Sequence, residues 1–170
     1  MKVESKQKIS EEEFLINMQE VKADLYKIAK TRLLQDEDIY DAIQETTVIS
    51  YEYIKKGKSI DNFKSWVIKV LINECNHIYK KQKKQIDLFE KELKQNKKED
   101  NLIEKIDDKI VFDKFLASLQ YKDRLIISLY YGSRFTTKEI SNILRMNENT
   151  VKTRISRVKK QIKEQMEGGN

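Results

Sequence analysis

This 170-residue chain contains no proline and only four glycines, two of which, Gly168 and Gly169, sit together in the tail. Proline and glycine punctuate turns and interrupt helices. A chain so poor in both, and rich in Lys, Glu, Leu and Ile, is expected to be all-α. Its length allows one ordinary domain or two small ones. Charged residues make up 36% and the formal net charge is +6, an excess that suits a polyanionic partner without identifying it. The single cysteine, Cys75, excludes an intramolecular disulfide framework and fits a reducing, cytoplasmic setting. Residues 1–13 are charged throughout and lack the apolar stretch of a secretory signal. The apolar patches around Val67–Ile72 and Leu125–Tyr131 are too short to span a bilayer.

Helix signals follow one another along the chain. Ser10 and Glu13 form a capping-box pattern, and Phe14, Met18, Val21, Leu25 and Ile28 then recur at spacings of four and three. After a break near Leu34–Asp38, with Asp36 or Asp38 as the next N-cap, a second helix carries Ile39, Ala42 and Ile43 and runs to about Lys55. Lys56 to Asn62 reads as a loop. A third helix turns Phe63, Trp66, Val67, Val70, Leu71 and Ile78 inward and ends in the basic run Lys80, Lys81, Lys83, Lys84. Cys75 shares the face of Leu71 and Ile78, which predicts a buried, inert thiol. Apolar periodicity thins from Gln82 to about Asp108 and resumes at Ile110, Phe112, Phe115, Leu116 and Leu119. The expected organisation is two small helical domains, 8–84 and 108–166, joined by a charged, flexible linker over 85–107.

The most informative segment is Thr136 to Lys163. Thr136 and Glu139 form a second capping-box pattern, opening a short helix with Ile140, Ile143 and Leu144 on one side. Asn147 caps the next helix, which aligns Val151, Ile155, Val158 and Ile162. A short helix, a tight turn and a longer basic amphipathic helix are the parts of a helix-turn-helix, whose second helix enters the major groove. At about 100° per residue, Asn149, Thr153, Ser156, Arg157 and Lys160 lie opposite the apolar stripe, flanked by Lys152 and Lys159 on one side and Arg154 on the other. Amide, hydroxyl and guanidinium groups hydrogen-bond base edges, while lysines suit phosphates. A basic face alone is usually only a solvated face; the capped helix and turn before it favour DNA.

Three strings make the likeness specific: 119–124 (LQYKDR) running into 129–132 (LYYG), 137–144 (TKEISNIL) and 149–157 (NTVKTRISR). Together they resemble region 4 of extracytoplasmic-function sigma factors, bacterial RNA polymerase subunits of the sigma-70 family. The likeness implies that this helix reads the minus-thirty-five promoter element. The contacting set would be Asn149, Thr150, Lys152, Thr153, Arg154, Ser156, Arg157 and Lys160. Reading would centre on Lys152, Thr153, Ser156 and Arg157, with Arg154 turned to the phosphates.

The N-terminal half resembles region 2 of the same family. Asp41-Ala42-Ile43-Gln44-Glu45 matches its D-x-x-Q-E string, and the likeness implies that Asp41, Gln44 and Glu45 dock on the polymerase β′ coiled coil. Phe63 and Trp66, followed by Asn73, resemble the next part of the pattern, the aromatic pair being expected in the core. The likeness makes the loop of Lys56, Lys58, Ser59, Ile60, Asp61 and Asn62 a pocket for a base flipped from the minus-ten element. Asn73, His77, Lys80 and Lys81 would contact the same DNA, single strands being held by polar pockets and nearby positive charge. His77 departs from the family, which usually has aspartate there; as a lone histidine it reads as a surface or capping residue as well as a DNA contact, and this bears on minus-ten preference.

The implied function is a sigma factor that binds core RNA polymerase (β′ and β subunits) and promoter DNA. Kinship also implies an anti-sigma factor, often membrane-anchored, that holds it in check. The linker, at about 3.3 Å per extended residue, can bridge two separated promoter elements. One histidine, one cysteine, no phosphate-cradling glycine loop and no H-E-x-x-H motif argue against an enzyme, a zinc site, a cofactor or a small-molecule substrate. The main rival is a stand-alone helix-turn-helix regulator, which leaves D-x-x-Q-E and the Phe63/Trp66 helix unexplained. A helical interaction protein or basic membrane-surface binder would need a broad apolar face on the basic helices.

Overall fold

The computed structural model describes residues 8–92 and 114–167, and every regular element among them is a helix. Helix α1 spans Glu11–Ala29, α2 Asp36–Lys55 and α3 Phe63–Glu92. After a helical stretch over 114–118 come α4 (Tyr121–Ile127), a π-helical turn (Ser128–Gly132), α5 (Thr137–Leu144) and α6 (Glu148–Glu167).

Local chemistry sets most of the helix starts. The Ser10 hydroxyl accepts from the Glu13 amide at 3.2 Å, while the Glu13 carboxylate accepts from the Ser10 amide at 2.8 Å, closing the expected box. The Ser10 backbone bond holds the Glu13 carboxyl below its ordinary pKa. The start of α2 differs from expectation. Its N-cap is Gln35, without a side-chain cap bond, and Asp36, Glu37 and Asp38 fill the first turn instead. Three carboxylates there favour the positive end of the helix dipole without any one of them capping it. Asn62 caps α3, its side-chain oxygen accepting from the Ser65 amide at 2.8 Å.

Helix α3 also runs through Glu92, past the expected end at Lys84. The added residues are mostly good helix formers, so polarity alone did not mark a stop. The rest of the expected linker, 93–107, lies outside the described residues, as do 108–113.

The first three helices bury Val21, Leu25, Ile28, Ile39, Ala42, Val67, Ile68 and Leu71 against one another, with Leu33 of the α1–α2 connection among them. A smaller cluster joins Phe14, Ile54 and Ile60, with Phe63 and Trp66 packed on it as half-buried aromatics. Phe14 meets Phe63 edge-on at 5.8 Å between ring centroids, and Trp66 lies 4.7 Å from Tyr53. Cys75 is buried, and desolvation pushes its thiol pKa up to about 12. The thiol is therefore neutral and unreactive at physiological pH.

The two helical units are docked, and their buried residues form one apolar cluster that includes Ile72 and Cys75 of α3 and Leu125 and Ile143 of the C-terminal half. Polar contacts pin the junction. Lys64 pairs with Asp24 at 2.6 Å and donates to the Ser133 carbonyl at 3.2 Å, while the Ser133 hydroxyl donates to Asp24 at 3.1 Å. Arg124 donates from Nε to the Thr31 carbonyl at 2.9 Å. The Arg32 guanidinium lies between the Tyr79 and Tyr121 rings, 3.7 and 3.9 Å from their centroids. Burial raises the Tyr121 phenol to about 12, so it stays a neutral ring beside this cation. The π-helical turn delivers Ser133 to the junction: Ser133 and Phe135 bond back to Ser128 and Leu129 at 3.0 Å each.

Candidate nucleic-acid interface

The helix-turn-helix is assembled by short-range bonds. Thr136 caps α5 with the Glu139 amide at 3.2 Å, and Glu139 returns a bond to the Thr136 amide at 2.8 Å. At the C-terminal end of α5, Arg145 adopts a left-handed backbone (φ 52°), a conformation that is costly for any residue with a Cβ. It turns the chain sharply, and Met146 donates to the Ser141 carbonyl at 3.0 Å. Asn147 starts α6, its side-chain oxygen accepting from the Asn149 amide at 2.8 Å. Glu148 joins the two helices, accepting from Thr137 at 2.8 Å and pairing with Lys152 at 2.9 Å. The bonds from Lys152 and then Thr137 lower its carboxyl pKa.

Val151, Ile155 and Val158 are buried and fix the back of α6. Asn149, Thr150, Lys152, Thr153, Ser156, Arg157 and Lys160 are exposed, and Arg154 is half-buried. Arg154 and Arg157 both reach back to the buried carboxylate of Asp123 on α4, at 2.7 and 2.6 Å. Their dependence on Asp123 was not legible in the sequence, which separates the partners by 31 and 34 residues.

On the N-terminal unit, Lys56, Lys58, Asp61 and Asn62 of the loop are exposed and Ser59 is half-buried. Ile60 does not join them. It is 5% exposed and packs with Phe14 and Ile54, so it anchors the loop rather than lining a polar pocket. Asn62 has its side-chain oxygen committed to capping α3. Asn73, His77, Lys80 and Lys81 are exposed along α3, with Asn73, His77 and Lys81 each one turn apart.

A different face belongs to α2. Asp41, Gln44 and Glu45 are exposed together, and Tyr40 and Val48, missed in the sequence, flank Gln44 at 60% and 47% exposure. Their spacing of four from Gln44 was the available signal. The face is thus acidic with an apolar edge.

Among the described residues no helix is long and apolar enough to cross a membrane. Two family models match the chain: sigma-70 region 2 over residues 18–85 and sigma-70 region 4 over residues 110–162. The RNA polymerase sigma factor SigV of Bacillus subtilis (strain 168) is 27% identical over 152 residues, covering 85% of this chain and 86% of that protein. In fold, the chain is similar to the sigma factor RpoE of Bartonella quintana, solved with the anti-sigma factor NepR. That match has a TM-score of 0.73 at 20% identity and covers 94% of this chain and 99% of RpoE. CnrH, solved with the cytosolic domain of CnrY, matches with a TM-score of 0.67 at 15% identity, covering 95% of this chain and 92% of its own. The chain belongs to the sigma-70 family, as an extracytoplasmic-function sigma factor built of regions 2 and 4 that acts in transcription initiation. Members of the family are initiation factors rather than enzymes as a rule.

Proposed function

We propose that α2 presents Asp41, Gln44 and Glu45, with Tyr40 and Val48, to the β′ subunit of core polymerase, and that α6 reads duplex minus-thirty-five DNA. The Lys56–Asn62 loop and the Asn73, His77, Lys80 and Lys81 row of α3 hold unpaired minus-ten DNA. Trapping an unpaired base favours the melted promoter by mass action, without any bond being made or broken by this chain. It works in the cytoplasm, with polymerase and promoter DNA as its partners and no cofactor.

The observation that carries this reading is the division of charge between two exposed helix faces: acidic on α2, basic on α6. A stand-alone DNA-binding regulator has no use for an exposed acidic face edged with Tyr40 and Val48. Regulation by an anti-sigma factor fits the docked arrangement. Lys69, Asn73 and Asn76 of α3 share a cleft of about 300 Å³ with Tyr121, Lys122 and Arg145 of the C-terminal half. One inhibitor lying across both units there would keep them together and crowd Asn73.

The test is capture of bacterial core polymerase by the purified chain, followed by transcription from fragmented genomic DNA of its source. Stoichiometric capture with new, discrete start sites supports the reading. Duplex binding without polymerase capture supports the stand-alone regulator instead.

A further inference from the structure

Asp123 is the one acidic residue buried among the described residues, 5% exposed on α4, whose following residues Leu125, Ile126 and Ile127 are all in the core. Each of its oxygens takes one arginine of α6: Oδ1 accepts from Arg154 and Oδ2 from Arg157. Two cations share one anion, so the cluster keeps a net positive charge. The sharing is unequal. The Arg154 side chain is 23% exposed and acts as an internal strut, whereas that of Arg157 is 52% exposed and stands beside Ser156.

An arginine has five N–H donors in a rigid fork, and Arg157 spends one of them on Asp123. A guanidinium anchored at one nitrogen is already ordered when DNA arrives, so less side-chain entropy is lost on binding. Resting on the reading of α6 as the DNA-contacting helix, we infer that Asp123 is a positioning residue for promoter recognition. It aims the free donors of Arg157 at the groove and, through Arg154, fixes the rotation of α6 against α4. It does not itself touch DNA.

The sign of its charge makes the role testable. A carboxylate near DNA opposes phosphate binding, so removing it should strengthen sequence-independent affinity if charge alone mattered. The measurement is affinity of the full chain for a duplex carrying the upstream element of a start site found as above, and for the same duplex with that element scrambled. For Asp123→Asn the expected result is a loss of about tenfold or more on the first, the scale of one good base contact, and an unchanged or higher affinity on the second. Asp123→Glu should recover part of the discrimination. Added to Arg157→Ala, Asp123→Asn should cost less than it does alone, because the residue it aims is gone and only the hold through Arg154 is left to lose.

Equal weakening on both duplexes, with the C-terminal unit melting earlier, would show a purely structural carboxylate and overturn the inference. Equal strengthening on both would show a charge effect only and overturn it too. Should Asp123→Asn fail to fold, the cycle run with Asp123→Glu decides: full additivity with Arg157→Ala contradicts the aiming role. Lys152→Ala and Ser156→Ala lie outside the clasp. If neither changes duplex binding, the reading of α6 itself has failed, separately from the role of Asp123.

Discussion

Helices α2 and α6 are each twenty residues long, and each buries one stripe and exposes the other. Helix α2 carries six acidic residues and one basic residue, while α6 carries three acidic and six basic. The apolar stripes are alike in kind, Ile39, Ala42 and Ile54 against Val151, Ile155 and Val158. Packing therefore explains why both are helices and leaves their partners open. What distinguishes them is the exposed chemistry: carboxylates with an apolar edge on α2, cations with amides and hydroxyls on α6. The first suits a protein surface and the second a polyanion, and a sigma factor must meet both at once.

Charge reversal on α2 should break that division most strongly. Glu45→Lys sets a cation where the proposed polymerase-docking face carries an acid and should weaken core capture by about two orders of magnitude, leaving duplex affinity unchanged or slightly higher. Co-sedimentation with core polymerase and a gel-shift titration on the same preparation check both halves. On α6, Arg157→Ala should lower promoter-duplex affinity by about ten- to a hundredfold with core capture intact. Lys152→Ala, an exposed candidate for phosphate contact, should weaken all duplexes alike and reduce the salt slope by about one.

The junction between the two units sharpens the comparison differently. Arg32→Ala removes the cation between Tyr79 and Tyr121 and should cost about 1–3 kcal/mol, a fall in Tm of several degrees by calorimetry. Its radius of gyration by X-ray scattering should rise while far-ultraviolet dichroism stays helical. A loss of helix in step with the expansion would mean that neither unit stands without the other. The smallest effect expected is at the caps. Thr136→Ala should cost about 1 kcal/mol and weaken duplex binding through the mispositioned α5, whereas Ser10→Ala should cost a similar amount in stability and leave duplex binding alone. Denaturant melts with parallel duplex titrations separate the two.

The legible parts of the molecule were those written over three or four residues. Both capping boxes, the Val151, Ile155 and Val158 stripe, the Asn147 cap and the buried thiol of Cys75 all lie within a helical turn or repeat at its period. The docking of the units was not legible. Lys64 meets Ser133 across 69 residues and Asp24 meets Ser133 across 109, and single polar pairs at such separations leave no periodic trace. The Asp123 clasp escaped for the same reason. Ile60 was misplaced in the candidate pocket because a loop position gives no period from which to read its facing. The continuation of α3 to Glu92 was missed because a polar stretch with good helix propensity resembles a solvated linker.

The most direct test of the division between α2 and α6 is site-specific photo-crosslinking from Tyr40 and from Ser156 in one reconstituted initiation complex. A crosslinker at Tyr40 should mark a polymerase subunit and one at Ser156 duplex DNA upstream of the start site. Crosslinks from both positions to DNA, or from Ser156 to polymerase alone, would contradict that division.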